Sequence, residues 1–188
     1  MARHKAFDLH QALKRAIAVF AAHGFAGTST AMLLNAMGIS RQSLYDTFGD
    51  KRQLYLAALS HYSQESVSDI LQHLEQASTA RAGLEQALAA FTQRPADQGC
   101  MGVNAVCEFG ISDRDITQAT HQSGLRLATG LAHCIREGQQ RGEFDPQLDP
   151  HSAAGYLMTL LSGLKVAARG GASEQALRQT LQIALRNL

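Results

Sequence analysis

A stretch near the N-terminus, residues 28–51, constrains the fold of this chain more than any other part of its sequence. Apolar residues recur at helical spacing on both sides of Gly38, and glycine best tolerates the positive φ angle of a tight corner. The pattern predicts a helix-turn-helix, whose second helix presents small and polar side chains to the major groove of DNA. The inner faces of the two helices are expected to consist of Met32, Leu33, Ala36, Met37, Ile39, Leu44 and Phe48.

The charge distribution points to the same part of the chain. Residues 1–60 carry seven lysines and arginines against three aspartates, although the whole chain has a net charge of only +1. A basic segment attracts the phosphate backbone of nucleic acids. We therefore expect a basic head that contacts DNA, joined to a mildly acidic body.

Apolar residues recur at three- and four-residue spacing through almost all of the 188 residues, which predicts an all-α fold of about nine helices. A DNA-binding head over residues 1–52 is expected to precede a larger helical body over residues 53–188. No apolar run approaches the roughly 18–20 residues of a membrane span. Three cysteines, an odd number, argue against a disulfide framework. These features predict a cytoplasmic protein without a membrane partner.

Twelve positions of the head combine a residue type with a spacing in a recognisable way: Gly24, Phe25, Thr28, Ser29, Thr30, Gly38, Ile39, Ser40, Leu44, Tyr45, Phe48 and Lys51. In this pattern the chain resembles the TetR family of bacterial transcription regulators. A segment of the body also resembles one branch of that family, through Gly99, Cys100, Met101, Val103, Asn104, Ala105 and Glu108. Gln42 and Asp46 depart from the family pattern, and these departures bear on which operator sequence is read.

The second helix of the motif supplies the candidate base contacts. Arg41 matches the paired acceptors of guanine, and the amide of Gln42 matches the donor and acceptor of adenine. Thr28, Ser29, Tyr45 and Lys51 are the candidate phosphate contacts, which would position the head without reading sequence, helped by N–H groups at helix N-termini. A basic arm at residues 3–5 is a further candidate for a backbone contact. The complete set of predicted DNA-binding residues is Thr28, Ser29, Ser40, Arg41, Gln42, Ser43, Tyr45, Thr47 and Lys51.

The family resemblance implies two tasks for the body, dimerisation and the sensing of a small-molecule effector. Small and apolar residues on the last two predicted helices are the candidate dimer interface, and the alternative is that this stripe is core within one chain. The candidate interface residues are Ala154, Leu157, Leu161, Leu164, Leu177, Leu181, Ala184 and Leu185. The candidate pocket combines apolar bulk with a few polar groups, and consists of Phe91, Cys100, Met101, Asn104, Cys107, Phe109, His121, Leu125 and Tyr156.

Other classes of protein find less support in the sequence. It contains no glycine-rich phosphate loop, nucleophile elbow or helical His-Glu-x-x-His motif, so no enzyme activity is expected. Cys107, His121, His133 and Cys134 lack the spacing of metal ligands, and neither a metal nor a cofactor is predicted. The sequence thus predicts a homodimeric, ligand-responsive repressor of a palindromic operator. The alternative is a helical small-molecule sensor, or a redox sensor acting through Cys100, with weak or no DNA binding.

Overall fold

The computed structural model describes residues 7–92 and 99–188, except for the side chains of residues 91 and 92. These residues form nine helices and no strand, which confirms the predicted all-α fold. The helices are α1 (Leu9–His23), α2 (Thr30–Met37), α3 (Arg41–Phe48), α4 (Lys51–Gln76), α5 (Ala80–Thr92), α6 (Met101–Phe109), α7 (Arg114–Gln140), α8 (Pro150–Arg169) and α9 (Glu174–Arg186).

Local side-chain signals begin and end the helices of the head. Ser29 and Ser40 cap α2 and α3, and their hydroxyl oxygens accept hydrogen bonds from the N–H groups of Met32 and Ser43. Such a cap satisfies a backbone donor that would otherwise lack a partner, and contributes about 1 kcal/mol. Gly38 ends α2 in the left-handed conformation, with φ +67°. The predicted helix-turn-helix is therefore present, with its corner at Gly38.

The chain forms two compact units. The first contains α1, α2, α3, the part of α4 up to Ser63, α6, and the start of α7 up to Thr120. This unit is more extensive than the predicted head of residues 1–52, because a later part of the chain folds into it. Whether the functional boundary lies at residue 52 stays a prediction.

The core of the first unit is aromatic and aliphatic. Phe20, Leu33 and Leu44, one from each helix of the head, are completely buried, and so is Met101 of α6. Burial of each such side chain contributes roughly 1.5–3 kcal/mol through the hydrophobic effect. The helix-turn-helix is thus held in one core with α6.

The second unit contains the remainder of α4 from Gln64, together with α5, α8, α9 and the remainder of α7 from His121. Leucines dominate its core, which includes Leu84, Leu131 and Leu157, all with no exposed surface. Among the described residues, no helix is both long and apolar enough to cross a membrane.

Candidate nucleic-acid interface

Helix α3 has a buried face and a polar exposed face. Leu44 is completely buried, whereas Arg41, Gln42 and Tyr45 are exposed, and Thr47 is half-buried. The guanidinium of Arg41 has no hydrogen-bond or ion-pair partner among the described residues, so all its donors are available to an incoming base or phosphate. The exposed face of α3 therefore has the shape and chemistry of a DNA recognition helix.

Two polar side chains of this face are hydrogen-bonded to each other. The Nε2 of Gln42 donates to Oδ1 of Asp46 at 2.7 Å, one helical turn away. This bond uses one amide hydrogen and leaves the carbonyl oxygen and the second hydrogen of Gln42 for a base edge. The Asp46 carboxylate thus fixes the orientation of the Gln42 amide before DNA arrives.

Three of the predicted DNA-binding residues lie near helix N-termini. Ser29 and Ser40 are exposed at the caps of α2 and α3. Lys51 begins α4, and its Nζ lies 4.3 Å from the ring centroid of Phe25, a cation–π contact that orders the lysine side chain. The half-buried hydroxyl of Ser43 lies 2.9 Å from that of Ser40, and either can donate.

Thr28 does not face DNA in this structure, contrary to the sequence-based expectation. Its side chain is buried, and its hydroxyl donates to the carbonyl oxygen of Gly24 at 2.5 Å. A threonine hydroxyl has one hydrogen to donate, and the backbone of the loop between α1 and α2 takes it. Thr28 therefore stabilises the loop and is not available to phosphate. The arm at residues 3–5 lies outside the described residues.

A carboxylate from α6 also binds this loop. Glu108 accepts hydrogen bonds from the N–H groups of Phe25 at 2.7 Å and Ala26 at 3.2 Å. One turn earlier, the side-chain amide of Asn104 donates to the carbonyl oxygen of Ala21 at 2.9 Å. Sequence reasoning gave Glu108 no role. Its position in the last turn of α6 offered a signal, because the helix dipole disfavours an acidic residue there unless it has another partner.

A charged contact joins α4 to the start of α7. Nη2 of Arg52 lies 2.9 Å from Oδ1 of Asp113 and 2.8 Å from Oδ2 of Asp115. The hydrogen bond from Arg52 is the main reason that the pKa of Asp113 lies below its ordinary value, and the backbone N–H of Ile116 acts in the same direction. The lowered pKa keeps the Asp113 carboxylate ionised at neutral pH, so its hydrogen bond with Arg52 is charge-assisted.

The residues predicted to line a pocket have different surroundings. Met101 is core, Asn104 binds the α1 backbone, and Phe109 packs on Phe25 with ring centroids 5.5 Å apart. Cys107, His121, Leu125 and Tyr156 are exposed, and the side chain of Phe91 lies outside the described residues. Helical periodicity identified apolar positions here, but it does not distinguish a cavity wall from packed core.

Two cavities of the second unit are lined by other residues. A groove of about 470 Å³ lies along α5 and α9 and contains Arg81, Glu85, Ala89, Arg178, Leu181, Gln182, Leu185 and Arg186. A cavity of about 330 Å³ is formed by residues of α4, α5 and α7, among them Leu71, Leu74, Thr79, Gly130, His133, Cys134, Glu137 and Arg141.

The predicted dimer residues are core of the single chain. Packing within the second unit already covers them, so their side chains leave little surface for a second copy. This burial favours the alternative expectation from the sequence, that the stripe on α8 and α9 is core within one chain. The buried residues are Ala154, Leu157, Leu161, Leu164, Leu177, Leu181, Ala184 and Leu185.

The three cysteines have different surroundings. Cys100 is half-buried and accepts a hydrogen bond from the hydroxyl of Tyr62, with 3.5 Å between oxygen and sulfur. Cys107 is exposed, whereas Cys134 is buried, and burial raises the pKa of the Cys134 thiol to about 11. Cys134 is therefore a thiol at neutral pH and a poor nucleophile.

Known proteins support the interpretation of both halves of the chain. The family described as "Bacterial regulatory proteins, tetR family" matches residues 12–58, and the "Tetracyclin repressor-like, C-terminal domain" family matches residues 78–184. The chain is 29% identical to the HTH-type transcriptional repressor ComR of Escherichia coli (strain K12), covering 98% of this chain and 90% of ComR. It is 28% identical to the uncharacterized HTH-type transcriptional regulator YezE of Bacillus subtilis (strain 168), covering 98% of both.

A solved structure gives the same result for the fold. A cysteine mutant of the TetR family regulator CifR, in complex with 26-base-pair operator DNA, has a TM-score of 0.86 to this chain and 30% identity over 98% of both chains. The helix-turn-helix with its exposed polar α3, together with matches over both halves, identifies the class of protein. The chain belongs to the TetR family of bacterial regulatory proteins and is a DNA-binding transcriptional regulator.

Proposed function

We propose that this regulator is a repressor that binds a palindromic operator as a homodimer and releases it when a small molecule binds the second unit. The exposed face of α3 carries this proposal, because Arg41 and Gln42 present unblocked donors and acceptors beside capped helix N-termini. The similarity to ComR, a repressor, and to CifR, which was solved with operator DNA, supports it. Repression needs only that the protein occupy a promoter, so no catalytic residue is required, and the site of action is the cytoplasm.

A dimer follows from the size of the recognition surface. One α3 reads only a few base pairs, and two copies related by a two-fold axis read half-sites about one helical turn apart. The outward faces of α8 and α9 are the proposed interface. Gly155, Thr159 and Gly163 form a small-residue surface on α8, continued by the exposed side chains of Val166 and, on α9, Ile183. Small residues allow two helices to approach closely.

The groove along α5 and α9 is the proposed effector site. The guanidinium of Arg81 donates to the backbone carbonyl oxygens of Leu185 at 2.8 Å and Glu143 at 2.9 Å, which leave its charge unneutralised. The side chain of Arg186 has no carboxylate partner among the described residues, while Leu181 and Leu185 supply apolar surface in the same groove. Positively charged side chains beside an apolar surface favour the binding of a compound that has both an anionic group and an apolar part. A thermal-shift screen of medium-chain and aromatic carboxylates tests this, and Arg186→Ala should abolish any stabilisation that they produce.

Salt dependence distinguishes a DNA-binding regulator from a sensor without useful DNA affinity. Binding to duplex DNA must weaken steeply as salt concentration rises, because lysine and arginine contacts release counterions from phosphate. We expect fluorescence anisotropy with labelled duplexes to give this steep slope. Binding that is absent at low salt would favour the alternative, a ligand or cysteine-based sensor.

A further inference from the structure

We propose that Glu108 is a positioning residue for DNA binding: its carboxylate, on α6, holds the loop that sets the orientation of the helix-turn-helix. This inference rests on the proposed operator binding. It states that operator binding depends on a residue of α6, which lies outside the helix-turn-helix. Glu108 is 82 residues distant along the chain from Ala26, one of the two loop residues that it binds.

The loop between α1 and α2 depends on this carboxylate for two of its backbone hydrogen bonds. The N–H of Gly24 donates back to Phe20 of α1 at 2.8 Å, whereas those of Phe25 and Ala26 donate to the two carboxylate oxygens of Glu108. Successive N–H groups that point to one place form an anion-binding concavity. Here the anion is the chain's own glutamate. Hydrogen bonds to an ionised acceptor are roughly twice as strong as neutral ones.

The approach between Glu108 and the loop is close, and the sequence accommodates it. Gly24 has φ +70°, and a Cβ atom at this position would lie 2.5 Å from Oε1 of Glu108. Glycine is therefore needed here both for its backbone angle and for the space that the carboxylate occupies. Gly24 thus leaves the space that the Glu108 carboxylate occupies, and this carboxylate accepts hydrogen bonds from the next two backbone N–H groups, those of Phe25 and Ala26.

The loop connects to the DNA-facing side through Phe25. The ring of Phe25 packs on Phe109, the residue after Glu108, and carries the Nζ of Lys51 over its face at 4.3 Å. Fixing the backbone N–H of Phe25 therefore also fixes the support for Lys51, a predicted phosphate contact. On its other side the loop leads within a few residues into Ser29, the cap of α2.

A simple electrostatic role for Glu108 predicts the opposite result from a positioning role. A glutamate near a DNA-binding surface repels phosphate, so removing its charge should strengthen DNA binding. If the carboxylate instead holds the loop, removing the charge should weaken binding although the net charge becomes more favourable. The sign of the change thus separates the two roles.

The experiment compares wild type with Glu108→Gln, using Glu174→Gln, at an exposed position of α9 in the second unit, as a control that removes the same charge elsewhere. Glutamine keeps one acceptor oxygen, so one of the two loop N–H groups loses its acceptor. We expect about tenfold weaker binding to the selected operator for E108Q, as one charge-assisted hydrogen bond is lost, and faster hydrogen exchange at the amides of Phe25 and Ala26. E174Q should change neither the affinity nor the exchange rates.

Glu108→Asp keeps the charge and both acceptors but withdraws them by one methylene, and should fall between wild type and E108Q in both measurements. If circular dichroism and molecular mass show that E108Q does not fold, E108D is the variant that tests the inference. E108Q binding as tightly as wild type, or more tightly, would overturn the inference. Failure of the wild type itself to bind any duplex would instead overturn the proposed operator binding, and the inference with it.

Discussion

The guanidinium of Arg52, near the start of α4, donates to both carboxylate oxygens of Asp113, the residue before α7 begins, at 2.9 and 3.0 Å from Nη2. Both side chains belong to the unit that contains the helix-turn-helix. The pair lies at the surface, where ion pairs contribute little to folding stability unless their geometry is bidentate. Here one guanidinium reaches Asp113 and Asp115 together.

This pair should make stability depend on pH. Arg52 lowers the pKa of Asp113 in the folded state. A lowered pKa stabilises the fold above the unfolded value of about 4, and this contribution is lost as the pH falls through the lower, folded pKa. Asp113→Asn should therefore lower the melting temperature at neutral pH, and the difference from wild type should shrink as the pH falls below about 4 and vanish below the folded pKa of Asp113. Arg52→Gln should show the same pH dependence, and a difference that persists in acid would contradict this account.

Arg41 should determine sequence specificity. Arg41→Ala removes an exposed guanidinium that can bond two acceptors of guanine, and should cost about 1–3 kcal/mol of specific binding while relaxing preference at one base pair. Lys51→Ala is the contrast, since loss of a phosphate contact should weaken binding to all sequences alike and reduce the salt slope by about 1. Anisotropy titrations with operator and scrambled duplexes measure both. If R41A lost the same amount of affinity for the operator and for the scrambled duplex, a base-reading role for Arg41 would be contradicted.

The proposed dimer interface can be tested without disturbing the core. A Cβ atom at Gly163 would meet no atom of its own chain within 4 Å, so Gly163→Arg should fold normally. On a closely packed helix surface the added side chain should prevent association. Sedimentation velocity should show a dimer for wild type and for Gln118→Arg, an exposed control on α7, and a monomer for G163R. A dimeric G163R would exclude this face.

The cysteines should differ in reactivity in a set order. The thiolate is the reactive form, and Cys134 is both buried and raised in pKa to about 11. With excess iodoacetamide at pH 8, mass spectrometry should find exposed Cys107 modified first and Cys134 last. In urea, which unfolds the protein, the cysteines should be modified at similar rates. Rapid labelling of Cys134 in the native protein would contradict its burial.

Local features of the fold were predictable because short-range signals determine them. Gly38 is the corner of the helix-turn-helix, Ser29 and Ser40 are caps, and Asp149 with Pro150 begins α8, each by the chemistry of one or two side chains. Each signal acts within one helical turn, so it can be recognised from neighbouring residues in the sequence.

Contacts between distant segments were not predictable in the same way. The apolar stripe that includes Leu157 and Leu161 was correctly expected to be buried, but periodicity does not say whether the neighbour is the same chain or a second copy. Thr28 looked like a phosphate contact because polar residues at a helix start often are. Its hydroxyl bonds Gly24 instead. Glu108 binds backbone N–H groups more than eighty residues away, and a backbone donor leaves no side-chain signal.

The central claim is that α3 reads a two-fold operator, and selection of bound sequences from a random duplex pool at moderate salt tests it most directly. Sequencing of the recovered DNA should give a palindrome with half-sites about one helical turn apart, as a dimer with two recognition helices requires. Its genomic positions would then identify the regulated genes. A folded, dimeric protein that enriches no motif would contradict the claim that the unliganded protein is a repressor.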